Sequence, residues 1–471
     1  MGTDTIAAVA TPIGRGGIGI IKISGDDAVA IAESVFQRSA DSSGRLQAAD
    51  APLFSAQQSH RLYHGHIVDS ERGKVLDEVL VAVMLAPHTY TRENVVEINS
   101  HSGPVVLTSI LELVLKKGAR LAAPGEFTKR AYLSGRIDLT QAEAVVDIIN
   151  SRTGKSLEIA ASQIKGALKR KVESIRDVLL DSLAATEAAI DFPDDVEDSV
   201  NTKTMVGIIT DKVVVPLKEL VQNYENAHVL RDGLKMAVVG KPNVGKSSLM
   251  NRLLQSDRAI VTPIPGTTRD LIEETLNIRG IPVIVADTAG LHETKDPVEV
   301  IGIQKTQEYI RGADLILFVV DASEPLTSED YKIYETIHAK QVIIVVNKAD
   351  LVKEDFELES PGSWEQTARI KISALFGQGL SELKDLIAKV SLGEFQIEAD
   401  NTIIPNLRHK LALERGLQQA VAAIAEINKQ TPFELIAIDI REALDALGEI
   451  IGLTTREDVI DQIFNRFCIG K

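Results

Sequence analysis

The chain has 471 residues, 44% of them apolar and 25% charged, the mix of a folded globular protein long enough for two to four domains. Lys plus Arg total 51 against 67 Asp plus Glu, and the net charge of −16 excludes a protein that coats nucleic acid by bulk charge, though not one with a local basic patch. One cysteine excludes an intrachain disulfide and a Cys-based zinc cluster and fits a reducing compartment. Strongly apolar runs such as 315–320 and 342–346 are short against the ~20 residues that span a bilayer. The N-terminus lacks a basic stretch followed by an apolar core, and Ile6 stands where a myristoylation motif starting at Gly2 needs Ser or Thr. The expectation is a cytoplasmic protein with no membrane attachment.

Three textures follow one another. Up to about residue 120 the chain alternates in short β-like runs, 18–23, 79–85 and 95–98, punctuated by Gly, Pro, His and Ser. From about 125 to 225 it turns helical: Leu139, Ala142, Val145, Val146 and Ile149 share one face, as do Ile164, Leu168, Ile175, Leu179 and Leu183. From 234 to about 391 the continuous apolar runs 236–239, 283–286, 315–320 and 342–346 predict parallel strands buried on both faces, alternating with helices. Beyond about 400 helical spacing returns. A helical segment interrupted by an α/β segment reads as an inserted domain. The fold class expected is multidomain, α+β and α/β. The acidic run 191–198 reads as a solvated loop or helix start, with a metal site as the sharper alternative.

Gly240-Lys241-Pro242-Asn243-Val244-Gly245-Lys246-Ser247 matches G-x-x-x-x-G-K-[ST], and Ser248 continues into a helical run. It lies between an apolar strand and a helix, where glycines let backbone N–H groups close on phosphate oxygens. Lys246 then reaches the terminal phosphates and the Ser247 hydroxyl ligates Mg²⁺. Three further elements follow in order. Thr268, in Pro265-Gly266-Thr267-Thr268, offers Mg²⁺ a second hydroxyl. Asp287-Thr288-Ala289-Gly290 follows a strand, with Asp287 toward Mg²⁺ and the Gly290 N–H toward the γ-phosphate. Asn347-Lys348-Ala349-Asp350 follows another, and a carboxylate at Asp350 accepts from both the N1–H and the 2-amino group of guanine, neither of which adenine presents. Ser373-Ala374 closes over the base edge. Four ordered elements at strand ends point to a GTP site.

Ras-like proteins orient the attacking water with a Gln just after the D-x-x-G glycine, where this chain has Leu291. The chain is therefore either a slow switch or takes its catalytic group from elsewhere. Glu299 is the candidate; an exposed carboxylate at a helix start is the plainer alternative. A monovalent cation could supply positive charge: the Asn243 side-chain oxygen and backbone carbonyls of residues 262–267 would form a K⁺ cage beside the phosphates.

With their flanks, these residues resemble the MnmE (TrmE) tRNA-modification GTPases. The resemblance covers nearly the whole chain. It rests on Asp4-Thr5-Ile6-Ala7-Ala8, Thr11-Pro12-Ile13-Gly14-Arg15-Gly16-Gly17-Ile18-Gly19-Ile20, Pro124-Gly125-Glu126-Phe127-Thr128, Asp138-Leu139-Thr140-Gln141-Ala142-Glu143-Ala144, the GTPase motifs, and the ending Phe467-Cys468-Ile469-Gly470-Lys471. It implies a tetrahydrofolate-binding, dimerising N-terminal α+β domain over 1–120, a helical domain in two halves, 121–230 and 393–471, and an inserted Ras-like P-loop GTPase domain over 231–392. It implies a homodimer through the N-terminal domains and a heterotetramer with an MnmG (GidA) flavoprotein. The resemblance implies that together they place an aminomethyl-type group on carbon 5 of the wobble uridine of certain tRNAs, with 5-formyl- or methylene-tetrahydrofolate as carrier and K⁺-stimulated GTP hydrolysis. By position, Asn243 and the carbonyls of Thr262, Ile264 and Thr267 would hold K⁺; Ser247 and Thr268 would hold Mg²⁺; Glu299 would position water. Lys22, Glu97, Arg136 and Lys471 would contact the folate. Lys22 stands where Arg is common, Arg136 where Lys is common, and Arg92 at a frequent Gly position. Ser100-His101-Ser102-Gly103 replaces the more usual C-H-G-G.

Weaker signals remain. Gly14-Arg15-Gly16-Gly17 reads as a tight turn or a ligand-adjacent loop. His60, His64 and His66 cluster like metal ligands, but no Cys or well-placed acid completes a site, so they read as solvated histidines on a strand edge. Cys468 is either a small buried hydrophobe or a contributor to the folate site or the modification chemistry. Lys165, Lys169, Arg170 and Lys171 form a solvated basic face or a tRNA contact. The competing reading is a GTP-switch ribosome-assembly factor of the Era or Der type, which predicts an RNA-binding appendage; no G-x-x-G element sits in a suitable setting.

Overall fold

The structure is a computed structural model that describes residues 4–39, 59–192, 201–257, 274–285, 310–353, 355–393 and 403–471. The chain divides into two compact units: residues up to Val146 with Ile451–Lys471 form the first, and most of the chain from Asp147 to Ile450 forms the second.

In the first unit the strands are β1 (Ile6–Val9), β2 (Gly16–Ser24), β3 (Phe36–Arg38), β4 (Arg61–Asp69), β5 (Lys74–Met84), β6 (Val95–Ser102) and β7 (Arg120–Leu121). They form one sheet in the order β3-β4-β5-β6-β2-β1-β7. The three β-like runs read in the sequence lie in β2, β5 and β6. The helices Ala28–Val35 and Pro104–Lys116 cover one face, where Ile21, Ile23, Ile31, Val81, Ile98, Leu107 and Ile110 form the core. Each such side chain contributes ~1.5–3 kcal/mol on burial. β4 lies between β3 and β5, so His64 and His66 are not on a sheet edge; His64 instead pairs with Glu78 across β4 and β5 at 2.7 Å.

The helix Leu139–Asn150 starts where Asp138 accepts from the Thr140 and Gln141 amides at 2.8 and 3.1 Å, which satisfies N–H groups a helix end leaves open. Leu139 and Ala142 pack on Ile463, Phe464 and Phe467. This anchors the C-terminal helix Glu457–Phe464 and the five residues that end the chain. Cys468 is exposed, so its buried-hydrophobe reading falls.

The second unit holds a second sheet: β8 (Leu234–Val239), β9 (Glu274–Ile278), β10 (Ile281–Val285), β11 (Leu315–Asp321), β12 (Gln341–Asn347) and β13 (Ala368–Lys371), in the order β13-β12-β11-β8-β10-β9. All neighbours are parallel except β9 and β10. The four predicted parallel strands are β8, β10, β11 and β12. Every residue of β11 is buried, as its unbroken apolar run requires. The helices Gly154–Ile164, Ala167–Asp191, Thr202–Ile209, Val215–Asp232, Leu407–Asn428 and Phe433–Ile451 make the helical part. Ile159, Leu230 and Ile404 join its core to that of the sheet. In the basic stripe, Lys169 pairs with Glu173 and Lys171 with Glu219, which offsets much of its charge.

Candidate functional site

β8 ends at Val239, and the helix Lys246–Asp257 begins seven residues later. The loop between them turns inward through three left-handed or glycine-only residues, Gly240 (φ 151°), Asn243 (φ 64°) and Gly245 (φ 98°). A Cβ at Gly245 would lie 2.1 Å from Asn347 Nδ2, so the loop approaches the end of β12 too closely for any other residue.

Lys246 folds over this loop. Its Nζ donates to the carbonyls of Gly240 at 2.8 Å and Lys241 at 2.6 Å. Burial holds its pKa below the ordinary lysine value, with Glu329 acting weakly the other way. A desolvated ammonium over a loop of backbone N–H groups suits a phosphate chain, whose oxygens replace the lost water. Lys241 pairs with Asp330 at 2.7 Å, which ties the loop to the helix Ser328–Ile337.

Asn347 is the knot between loop and base-side residues. It is 3% exposed; its Nδ2 donates to the Val244 carbonyl at 2.8 Å, and its Oδ1 accepts from the Ala374 amide at 3.0 Å. Lys348 takes φ 62° and its Nζ lies 2.5 Å from Asp321, which ends β11. Burial opposes ionisation of Asp321, but Lys348 and Ser323 outweigh it and hold the carboxyl below its ordinary value. Asp350 is exposed and Ser373 fully buried. Two arginine nitrogens of Arg252 donate to the Ala374 and Leu375 carbonyls, which pins this loop to the helix Lys246–Asp257.

The structure therefore brings together Asn243, Val244, Gly245, Lys246, Ser247, Ser248, Asn347, Lys348, Asp350, Ser373 and Ala374 of the predicted GTP set. Thr262, Ile264, Thr267, Thr268, Asp287, Thr288, Ala289, Gly290 and Glu299 lie outside the described residues. Sequence reasoning missed Asp321 and Arg252; the one signal for Asp321 was a carboxylate closing an otherwise apolar run. Replacing Asn347 with Ala leaves the Val244 carbonyl and the Ala374 amide unpaired. The expected loss is about 2–4 kcal/mol of stability, seen as a lower Tm in thermal unfolding, with guanine-nucleotide affinity at least ~10-fold weaker by the same titration that measures the parent.

A second polar site lies in the first unit. Lys22 faces Ala8 on β1 and Glu97 on β6, and its Nζ is 3.5 Å from the Glu97 carboxylate. The same ammonium stands 5.8 Å from the Tyr90 ring centre and 5.6 Å from that of Phe127. Arg136 stacks over Tyr90 at 4.8 Å. Burial pushes the Tyr90 phenol up, against the Thr128 hydroxyl and the Arg136 charge. Gly470 lies against Val9, where a Cβ would meet its carbonyl at 2.4 Å, and this seats the exposed Lys471 beside the end of β1. Lys22 and Arg136, 114 positions apart by their numbering, thus meet at Tyr90, a ring that sequence reasoning did not single out, with Glu97 paired to Lys22. Below them Arg130 joins Asp4, Glu93 and Glu126, and Arg120 joins Asp4 and Glu126.

Residues 5–136 match the family model for the GTP-binding protein TrmE N-terminus, and residues 139–468 match that for the MnmE helical domain. The chain is 44% identical over 468 residues to the tRNA modification GTPase MnmE of Alkaliphilus oremlandii, with 99% of each chain covered. It is 46% identical over 468 residues to that of Syntrophus aciditrophicus, again with 99% of each covered. Among solved structures, Aquifex aeolicus Era bound to GDP and AlF4⁻ is 32% identical over 39% of this chain and 65% of that one, with a TM-score of 0.25. The chain belongs to the MnmE family of tRNA modification GTPases.

Proposed function

We propose that this chain is a K⁺-activated GTP hydrolase. Working with an MnmG-type flavoprotein, it installs an aminomethyl-type group at carbon 5 of the wobble uridine of certain tRNAs, using a tetrahydrofolate one-carbon carrier. The observation that carries the GTPase half is the half-buried Lys246 over its glycine loop, joined through Asn347 to the base-side residues Lys348, Asp350, Ser373 and Ala374. These groups fit a nucleotide: ammonium and backbone N–H donate to phosphate oxygens, and a carboxylate accepts from guanine. Ser247 and Thr268 would hold Mg²⁺, which offsets charge on the phosphates. Asn243, in its left-handed conformation within the loop, offers the side-chain oxygen for K⁺, alongside the carbonyls of Thr262, Ile264 and Thr267. Glu299 would position the water.

The folate half is supported by Lys22, Glu97 and Arg136 around Tyr90. A carboxylate suits the donors of a pterin-like ring, and cations suit an acidic tail. Homodimerisation through the N-terminal domains and domain limits at 120, 230 and 392 belong to the same reading.

GTP turnover in KCl against NaCl at matched ionic strength tests it. The expected result is a large K⁺-specific stimulation that Glu299→Ala abolishes while GTP affinity stays within about twofold of the parent. Equal slow rates in both salts would favour a GTP switch of the Era or Der type instead.

A further inference from the structure

Beside Tyr90 a cavity of about 390 Å³ opens in the first unit, within the ~300–1,000 Å³ of small-ligand sites. Among the described residues its lining includes His60, His88, Tyr90, Arg92 and Arg136, and no carboxylate. Both guanidinium groups are permanently charged. In a chain of net charge −16, this wall carries at least two positive charges, with no acid among its described residues.

Arg92 is the unexpected member. Its backbone sits at φ 62°, a conformation that costs an ordinary side chain ~1 kcal/mol or more and that glycine adopts freely. A residue held in that strain needs a compensating contact or role. One contact is present: Arg92 Nη1 donates to the Ser134 carbonyl at 2.7 Å, at the end of the helix Glu126–Leu133, which fixes where the guanidinium stands. Arg136, fixed on the Tyr90 ring, supplies the second charge.

We infer that this cavity binds a chain of carboxylates, namely the oligo-γ-glutamyl tail of the folate carrier, and so selects polyglutamylated over monoglutamyl carrier. The inference rests on the folate reading above. The pterin-like ring goes toward Glu97 and Lys22; Tyr90 and Arg136 border both places, so a tail leaving that ring past Arg136 enters the cavity and meets Arg92. Guanidinium forks match successive carboxylates.

Isothermal titration of the full chain with 5-formyl-tetrahydrofolate carrying one or five glutamates tests this. The parent is expected to bind the pentaglutamyl form at least ~10-fold more tightly, with the difference shrinking in high salt. Arg92→Gly suits φ 62° and keeps the fold; it is expected to cut that preference below about threefold while moving monoglutamyl affinity by less than about twofold. Equal affinities in the parent overturn the inference and leave the carrier reading standing. A preference that survives Arg92→Gly places the tail elsewhere and also overturns it. Binding of neither form overturns both readings. A loss of tRNA affinity in Arg92→Gly with folate preference intact assigns the cavity to phosphate groups instead.

Discussion

Asp350→Asn is expected to weaken GTP and GDP binding by about 100- to 10,000-fold while leaving the fold intact. Two hydrogen bonds from a carboxylate to guanine N1–H and its 2-amino group contribute ~1.5–3 kcal/mol each. An amide in the same place offers one acceptor and one donor, and the donor meets the 2-amino group head-on. Xanthine carries a carbonyl at that position, so the variant is expected to prefer xanthosine over guanosine nucleotides, reversing the parent's order. ATP gains at most one bond, because adenine N1 accepts from the amide N–H but its C2–H offers the amide oxygen no donor. Stability is not expected to move: Asp350 is exposed, and its carboxylate has no hydrogen-bond partner among the described residues. The measurement is competitive displacement of a fluorescent GDP by the three nucleotides, paired with thermal unfolding. Retention of GDP affinity within about threefold would remove Asp350 from base recognition.

What the sequence disclosed and what it hid follow from how far apart the partners lie. The phosphate loop is a local object: an apolar strand, a glycine turn and a helix start within about twenty residues, so G-x-x-x-x-G-K-S with its flanks suffices. β11 and β12 were equally plain, because strands buried on both faces need unbroken apolar runs. β9 was not read. Its hairpin to β10 turns on Arg279 and Gly280, at φ 52° and 87°, where an Asn-Gly or Asp-Gly pair would have announced the turn. Arg279 takes the conformation here, and its Nε donates to Asp385, far along the chain, at 2.6 Å. β13 was missed because it is short and alternates between half-buried and exposed residues at the sheet edge. The sequence reading of the folate residues came by resemblance, since nothing local links Lys22 to Arg136. Only the sheet register, with Lys22 opposite Glu97, and the Tyr90 ring bring them together. The Gln163 side chain donates to the Ile404 carbonyl at 2.6 Å across 241 positions, a contact no periodicity foretells.

Lys246→Met is expected to reduce nucleotide affinity at least ~100-fold and to take GTP turnover to background, because an ammonium bridging terminal phosphates supplies charge-assisted bonds of ~1.5–3 kcal/mol each. The same change is expected to leave the Tm of the nucleotide-free protein unchanged or slightly higher. Burial holds Lys246 below the ordinary lysine value, which means the folded chain disfavours the charge that the unfolded chain keeps. The sign follows. Between the lowered value and 10.5 the unfolded chain binds more protons, so stability of the nucleotide-free protein rises with pH across that window. Phosphate oxygens favour the charged form and draw the pKa back up, so nucleotide binding takes up a proton there. Affinity should therefore be greatest below the window and fall as pH climbs toward 10.5. Methionine keeps the length and apolar stem of the side chain but has nothing to titrate, so both slopes should flatten in the variant. Unfolding of the nucleotide-free protein and GDP titration, each measured against pH in parent and variant, check the two signs separately. A destabilised variant with near-normal affinity would mean that Lys246 holds the loop through the Gly240 and Lys241 carbonyls, and that the phosphates are bound by the backbone alone.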